Sequence, residues 1–268
     1  MSAPFAKPRA KEPYDGVLMF HIHGGGFMAM SPASHESYLR KWAVDTHIPI
    51  ISIDYKKAPE TKWPALPEEC YAAYKWVVNN AERFLPQGQK LKKIIVTGDS
   101  AGGNLSMAVT IRAIFDRFHI PDILALTYPA SSISVAPSTA RLTALTEPLV
   151  NLAFLEVCFH AYLPEEMKQT ASYNVLVSPG VVPAEFLRQF PPTYINVGSL
   201  DPLLDDAVMT AKQIAKYNGN QVFFDVYDNL GHGYLNMAFE LMPDCMEAVD
   251  NVSSWLNDFL DVSREEEE

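Results

Sequence analysis

The 268-residue chain has no apolar run approaching the roughly 18–20 residues that span a bilayer. Its opening stretch, MSAPFAKPRAKEPYDG, has no apolar segment of the secretory-signal kind. A soluble, cytoplasmic protein is the expectation. Cysteine is scarce: Cys70, Cys158 and Cys245 are odd in number, widely spaced and form no CxxC pair. They read as reduced thiols packed as small hydrophobes, which argues against a disulfide framework. Positive charge is also short, with 21 Lys and Arg against 32 Asp and Glu. A net charge of −11 without a clustered basic surface argues against nucleic acid as a partner. No internal repeat and no Gly/Ser linker divides the chain, so residues 1–268 read as one domain. The acidic stretch 261–268 reads as a solvated, disordered tail.

What is present is an alternation of short β-rich runs with longer segments of helical period, the pattern of a parallel sheet wrapped by helices. Strands are expected at Gly16–Ile22, Pro49–Asp54, Lys93–Thr97, Ile123–Tyr128, Thr193–Val197 and Gln221–Tyr227. Most are continuous apolar runs, as in strands covered on both faces. Helical period marks Ser34–Asp45, Pro67–Arg83, Ala101–Phe118, Asp205–Tyr217 and Glu240–Phe259. The connection from about Ala130 to Pro192 is too long for a simple crossover. With helical period around Leu149–Tyr162, it reads as an insertion over one end of the sheet, residues 131–192, in the position of a cap or lid.

Chemistry enters where the strand at Lys93–Thr97 runs into TGDSAGGNL. Gly98 to Gly102 form G-x-S-x-G between a strand and a helix, the context of a nucleophile elbow. There Ser100 would stand at the carboxyl end of a buried strand, facing the positive end of the helix that follows. A serine needs a base, and in this kind of fold the order is Ser, acid, His. Beyond the adjoining helix only His160 and His232 follow Ser100. His160 falls in a helical stretch of the insertion. His232 lies in the glycine-bracketed loop NLGHGY, directly after the last strand, and is the better base. Asp201 lies just past Thr193–Val197 and precedes Pro202, a good first helical residue, which favours it as the acid. Asp205 and Asp206 then occupy the first helical turn, where the macrodipole favours acids.

Three consecutive glycines, Gly24 to Gly26, interrupt the apolar HIHGGGFMAM. Acyl transfer forms a negative oxygen that is best held by backbone N–H groups already aimed at it. Ala101, after the serine, supplies one donor; Gly25 and Gly26, with no side chain in the way, are candidates for the others. His21 and His23 alternate on a strand but have no third ligand nearby, so a metal site is disfavoured.

These stretches resemble the hormone-sensitive lipase family of α/β-hydrolases. The resemblance rests on HGGGF (His23–Phe27), SIDYKKAPE (Ser52–Glu60), GDSAGGNL (Gly98–Leu105), YPA (Tyr128–Ala130), LDPLLDD (Leu200–Asp206) and GHGY (Gly231–Tyr234). PALPEECYAAYKW and STARLTALTEPL are more similar to the animal lipases of the family than to its bacterial esterases. The resemblance implies an α/β-hydrolase fold and a carboxylic ester hydrolase. It places Ser100, Asp201 and His232 as a triad and Gly25, Gly26 and Ala101 as oxyanion donors, and gives His23 a part in orienting the glycine loop. No cofactor and no metal are implied. Substrates of the family are acylglycerols, cholesteryl esters or short acyl esters, and its lipase branch brings lipid-droplet contact into view. Family members carry a longer segment before the glycine loop, supplying the first strands and part of the cap. Without those strands Pro49–Asp54 is expected at a sheet edge, which another chain would need to cover. The alternative class is a hydrolase-fold binding or receptor-like protein. Such relatives lack the histidine, and the presence of His232 favours an enzyme.

Overall fold

The computed structural model describes residues 14–134, 136–144, 147–219, 221–238 and 241–267, with side chains as far as 262. The signal-peptide reading of the first residues lies outside this range. Six strands form one sheet: β1 (Val17–Ile22), β2 (Ile50–Ile53), β3 (Lys93–Asp99), β4 (Ile123–Thr127), β5 (Thr193–Gly198) and β6 (Val222–Tyr227). Their order is β2-β1-β3-β4-β5-β6, and every pairing is parallel. All six expected strands are present, with ends displaced by no more than two residues.

The helices are α1 (Glu36–Thr46), α2 (Ala65–Asn79), α3 (Ala101–Asp116), α4 (Thr139–Thr143), α5 (Leu152–Tyr162), α6 (Ala184–Leu187), α7 (Leu204–Tyr217) and α8 (Pro243–Glu267). They cover both faces. Phe20 packs edge-on against Tyr74 of α2, while the next residue, His21, meets Tyr38 of α1. Successive strand residues point to opposite faces, so α1 and α2 lie on opposite sides of the sheet.

The centre of the sheet is buried as its apolar runs predict: every residue of β1, β4 and β5 is buried. The two outer strands differ. β2, at the expected edge, is half-buried throughout, while β6 has no buried residue: Phe223 and Val226, on opposite faces, are each 44% exposed. The apolar residues of β6 therefore did not mean two covered faces, because its position at the other edge leaves both faces partly open.

A second correction concerns the acidic end. The disordered tail expected from 261 is instead a continuation of α8 to Glu267. The buried stripe Val249, Val252, Leu256 and Leu260 anchors that helix, and DVSREEE has no Gly or Pro to stop it. The insertion expected between β4 and β5 contains α4, α5 and α6. Asn151 starts α5 by accepting the Phe154 N–H at 3.1 Å. Asn104 of α3 ties the insertion down, donating to the carbonyls of Ala130 and Val177, each at 2.8 Å.

Candidate active site

In a parallel sheet, the loops after the strands gather at the carboxyl edge. Here the register aligns that edge: Ile22 of β1 pairs with Gly98 of β3, Asp99 with Thr127 of β4, and Gly198 of β5 with Tyr227 of β6. The loops after β1, β3, β5 and β6 carry Gly24–Gly26, Ser100, Asp201 and His232.

Ser100 sits at φ 53°, ψ −120°, a strained conformation for a residue with a side chain. The turn is held by its own backbone. Ser100 N–H donates to Thr127 O at 3.0 Å, and its carbonyl accepts from Ala130 N–H at 3.1 Å. Glycines make the turn fit, since a Cβ on Gly98 would lie 2.5 Å from the Gly102 carbonyl oxygen. The hydroxyl then projects from the start of α3.

His232 Nε2 is 2.8 Å from Ser100 Oγ, and its Nδ1 is 2.7 Å from Asp201 Oδ2. The other Asp201 oxygen accepts the Leu203 N–H at 2.8 Å, fixing the carboxylate. These contacts set the tautomer: Nδ1–H donates to Asp201, leaving the Nε2 lone pair for the serine hydroxyl. Burial pulls the His232 pKa down, but the charge and hydrogen bond of Asp201 outweigh it and hold the pKa above the ordinary histidine value. The Tyr128 ring lies 4.5 Å from the imidazole, and the buried Glu147 adds a further negative charge on that side.

The rival residues are engaged elsewhere. Asp205 accepts the N–H of Ala140 at 2.8 Å, and Asp206 pairs with the buried Arg141, so both tether α4 to the start of α7. His160 lies on α5 beside Lys168. The sequence-expected group Ser100, Asp201 and His232 is thus brought together, and its alternatives are not.

The glycine loop faces the serine. Gly25 and Gly26 take φ +116° and +61°, conformations natural to glycine. Among the described residues, neither of their N–H groups, nor that of Ala101, has a hydrogen-bond acceptor. His23 holds the loop's entrance: its Nδ1 contacts Gly24 O at 2.7 Å and its ring stacks on Tyr55 at 4.3 Å. Burial lowers its pKa to about 4, so the ring is neutral.

A cavity of about 460 Å³ opens over Ser100, with Gly25, Gly26, Ala101 and His232 in its wall. The rest is mainly apolar: Leu149, Val150, Phe154, Leu155, Phe159 and Met237. α5 forms one side and rests on the glycine loop, with Cys158 against Gly26 and Tyr162 stacked on Phe27 at 4.0 Å. Cys158 has its thiol pushed up to about 11 by burial, and all three cysteines are free and buried.

Sequence reading missed the residues around Asp99. This buried carboxylate, one position before Ser100, accepts the Gly24 N–H at 2.9 Å and the Tyr38 hydroxyl at 3.1 Å. His35 lies 3.4 Å from its other oxygen. Asp99 could have been noticed as part of the GDS motif; His35, in SPASHESY, has no such signal.

The fold is shared with known proteins. A family model described as an alpha/beta hydrolase fold matches residues 19–236. Mouse hormone-sensitive lipase is 41% identical over 157 residues, which is 58% of this chain and 20% of that protein. The esterase LipI of Mycobacterium tuberculosis is 29% identical over 245 residues, 91% of this chain and 73% of that one. Among solved structures, an esterase from Pyrobaculum calidifontis superposes with a TM-score of 0.83 at 26% identity, covering 94% of this chain and 79% of that one. The matched stretch is a fifth or less of the length of the hormone-sensitive lipases, 20% of the mouse protein and 14% of the human one.

Proposed function

The chain belongs to the α/β-hydrolase fold family, and on that premise we propose that it is a serine carboxylic ester hydrolase working through an acyl-enzyme. The observation that carries the reading is the continuous hydrogen-bond chain from Ser100 through His232 to Asp201, beside N–H groups without acceptors. His232 Nε2 takes the hydroxyl proton as Ser100 Oγ attacks the ester carbonyl. The resulting oxyanion is held by the N–H groups of Gly25, Gly26 and Ala101. His232 passes its proton to the departing alcohol oxygen, then takes one from a water that attacks the acyl carbonyl. Collapse returns the proton to Ser100 and frees the acid.

The apolar cavity suits an acyl chain, and the names of the relatives, lipase and esterase, support acylglycerols or short acyl esters as the substrate class. Residues 131–192 act as the cap, with α5 as cavity wall. Leu149 and Phe154 at the cavity, and Val157 on α5, are 38–55% exposed. Such an apolar rim fits contact with a lipid-droplet surface. Among the described residues no helix is long and apolar enough to cross a membrane, and a cytoplasmic setting is part of the proposal.

The test is hydrolysis of a short-chain nitrophenyl ester together with labelling of Ser100 by a fluorophosphonate. Turnover and labelling are expected in the wild type, and Ser100→Ala should lose both while keeping its fold. Turnover that survives in Ser100→Ala would refute the assignment. A folded wild type that neither turns over nor labels would favour the binding-protein class.

A further inference from the structure

A second buried acid–imidazole pair lies beneath the glycine loop. We propose that His35 is held as an imidazolium whose charge neutralises Asp99, and that this pair is a positioning device which keeps the oxyanion loop against the nucleophile elbow. This rests on the reading of Gly25 and Gly26 as oxyanion donors.

The argument begins with what Asp99 holds. Its Oδ1 accepts from the Gly24 N–H, so the carboxylate ties the first loop glycine to the residue before Ser100. The approach is so close that a Cβ on Gly24 would collide with Oδ2. The loop's distance from the serine is therefore set by one carboxylate, 3% exposed.

A bare negative charge there would oppose the reaction, because an oxyanion must form within the same low-dielectric pocket. Something must cancel it, and the neighbouring groups leave one candidate. From β1, His21 is wholly buried and its pKa is lowered. Its Nε2 is 3.0 Å from the Tyr38 hydroxyl and 3.7 Å from Asp99 Oδ1, the longer of the two contacts, and its Nδ1 is 2.8 Å from Ser52 Oγ. Because Tyr38 of α1 donates its proton to Asp99, it accepts from His21 Nε2–H, and Ser52 donates to Nδ1. His21 is thus neutral with every position filled. His23, 5.4 Å from the His35 ring, is neutral too, and faces Asp54 at 3.7 Å rather than Asp99.

His35 is different. Its Nδ1 faces the carbonyl of Ser31 at 2.9 Å, an acceptor only, so Nδ1 carries a proton. Its Nε2 is buried, 3.4 Å from Asp99 Oδ2, and has no other partner among the described residues. A second proton on Nε2 would complete the pair. Burial opposes the charge, but Asp99 outweighs it and raises the His35 pKa; burial would likewise raise the Asp99 carboxyl, but the facing N–H groups of His21 and His35 and the charge on His35 hold it well below the usual carboxylate range.

Two measurements test this. The first needs no turnover: the imidazole nitrogens of Ser100→Ala are followed by long-range ¹⁵N–¹H NMR at pH 7, where an ordinary histidine is mostly neutral. Both His35 nitrogens are expected to carry protons. Adding Asp99→Asn should return His35 to a neutral ring protonated on Nδ1. A neutral His35 beside an intact Asp99 overturns the proposal. The second is kinetic. His35→Gln leaves the carboxylate uncompensated and should lower kcat about tenfold to a hundredfold with KM unchanged. The double variant His35→Gln/Asp99→Asn removes the charge as well and should recover most of that loss. A kcat equally low in both variants, or unaffected in His35→Gln, overturns the proposal. Failure of the wild type to hydrolyse or label would instead count against the reading of Ser100, and the NMR result would still decide the state of His35.

Discussion

Two carboxylate–histidine pairs flank Ser100, and they differ in what each requires of its proton. In the proposed mechanism Asp201 and His232 form a pair that must release one: Nε2 has to be free when the serine hydroxyl arrives. Asp99 and His35 form a pair that has only to keep one, because no reacting atom touches His35. Both histidines are buried, and both have pKa values raised by the facing carboxylate against the pull of burial. Environment gives them opposite duties, and the difference lies in what the second nitrogen meets. For His232 that is a hydroxyl, which gives up a proton; for His35 it is a carbonyl, which cannot.

The same substitution in each pair separates these duties most sharply. Asn in place of Asp201 would present an N–H to Nδ1 and force the proton onto Nε2. Ser100 would then face a donor rather than a base, and kcat should fall about 10⁴-fold, the scale known for that change in serine proteases. Asn in place of Asp99 keeps an oxygen for the Gly24 and Tyr38 donors and offers its N–H to His35 Nε2. That neutral network remains complete, so kcat should stay within about tenfold of wild type. Steady-state kinetics on one nitrophenyl ester checks both, and equal losses would erase the distinction between the pairs.

An intermediate effect is expected from altering the glycine loop itself. Ala in place of Gly25 must adopt φ near +116° with a Cβ directed at the Ala29 carbonyl. The loop would shift, and kcat should fall about 10²- to 10³-fold, the loss expected of one oxyanion donor. KM should change much less, which separates loss of a donor from loss of the cavity.

Titration gives a smaller effect of opposite sign in the two pairs. His232 is a base only when neutral, so kcat/KM should rise with pH through an apparent pKa above the ordinary 6.5. For stability the direction reverses. A raised folded pKa at His35 contributes stability that is complete below about 6.5 and fades as pH rises through the folded value. The stability gap between wild type and His35→Gln in urea should therefore narrow as pH rises above about 6.5. A gap that stays constant would mean that folding leaves the His35 pKa unshifted, and one that widens would mean that the folded ring is held neutral.

The two pairs also differ in how far the sequence reveals them. Ser100, Asp201 and His232 each follow a strand that is legible as an apolar run, and the order Ser, acid, His restricts the choice to a few residues. The glycine loop is legible because three bare positions in a row have few structural explanations. His35 could not be found this way. It lies in a short turn before α1, and its partner is 64 positions later on another element. The residues that position a motif act through tertiary contacts, and no local period records them. The exposure of β6 and the continuation of α8 were missed for related reasons. Apolar content does not say which strand is outermost, and a charged stretch without Gly or Pro can prolong a helix that an apolar stripe has already anchored.

The finest difference between the pairs concerns Glu147, a third buried acid, which influences His232 and has no counterpart beside His35. Its Oε2 accepts the N–H groups of Leu149 and Val150, so it also shapes the segment that lines the cavity. Gln at this position keeps one acceptor oxygen for those donors and removes the charge. Without that charge the His232 imidazolium is less favoured, so its pKa falls and the acid limb of kcat/KM moves to lower pH. The plateau should stay nearer to wild type than in any variant named above, and the gain should appear only below the wild-type limb. An acid limb that moves upward, or a plateau that collapses with the limb unmoved, would mean that Glu147 matters for the cavity wall and not for the base.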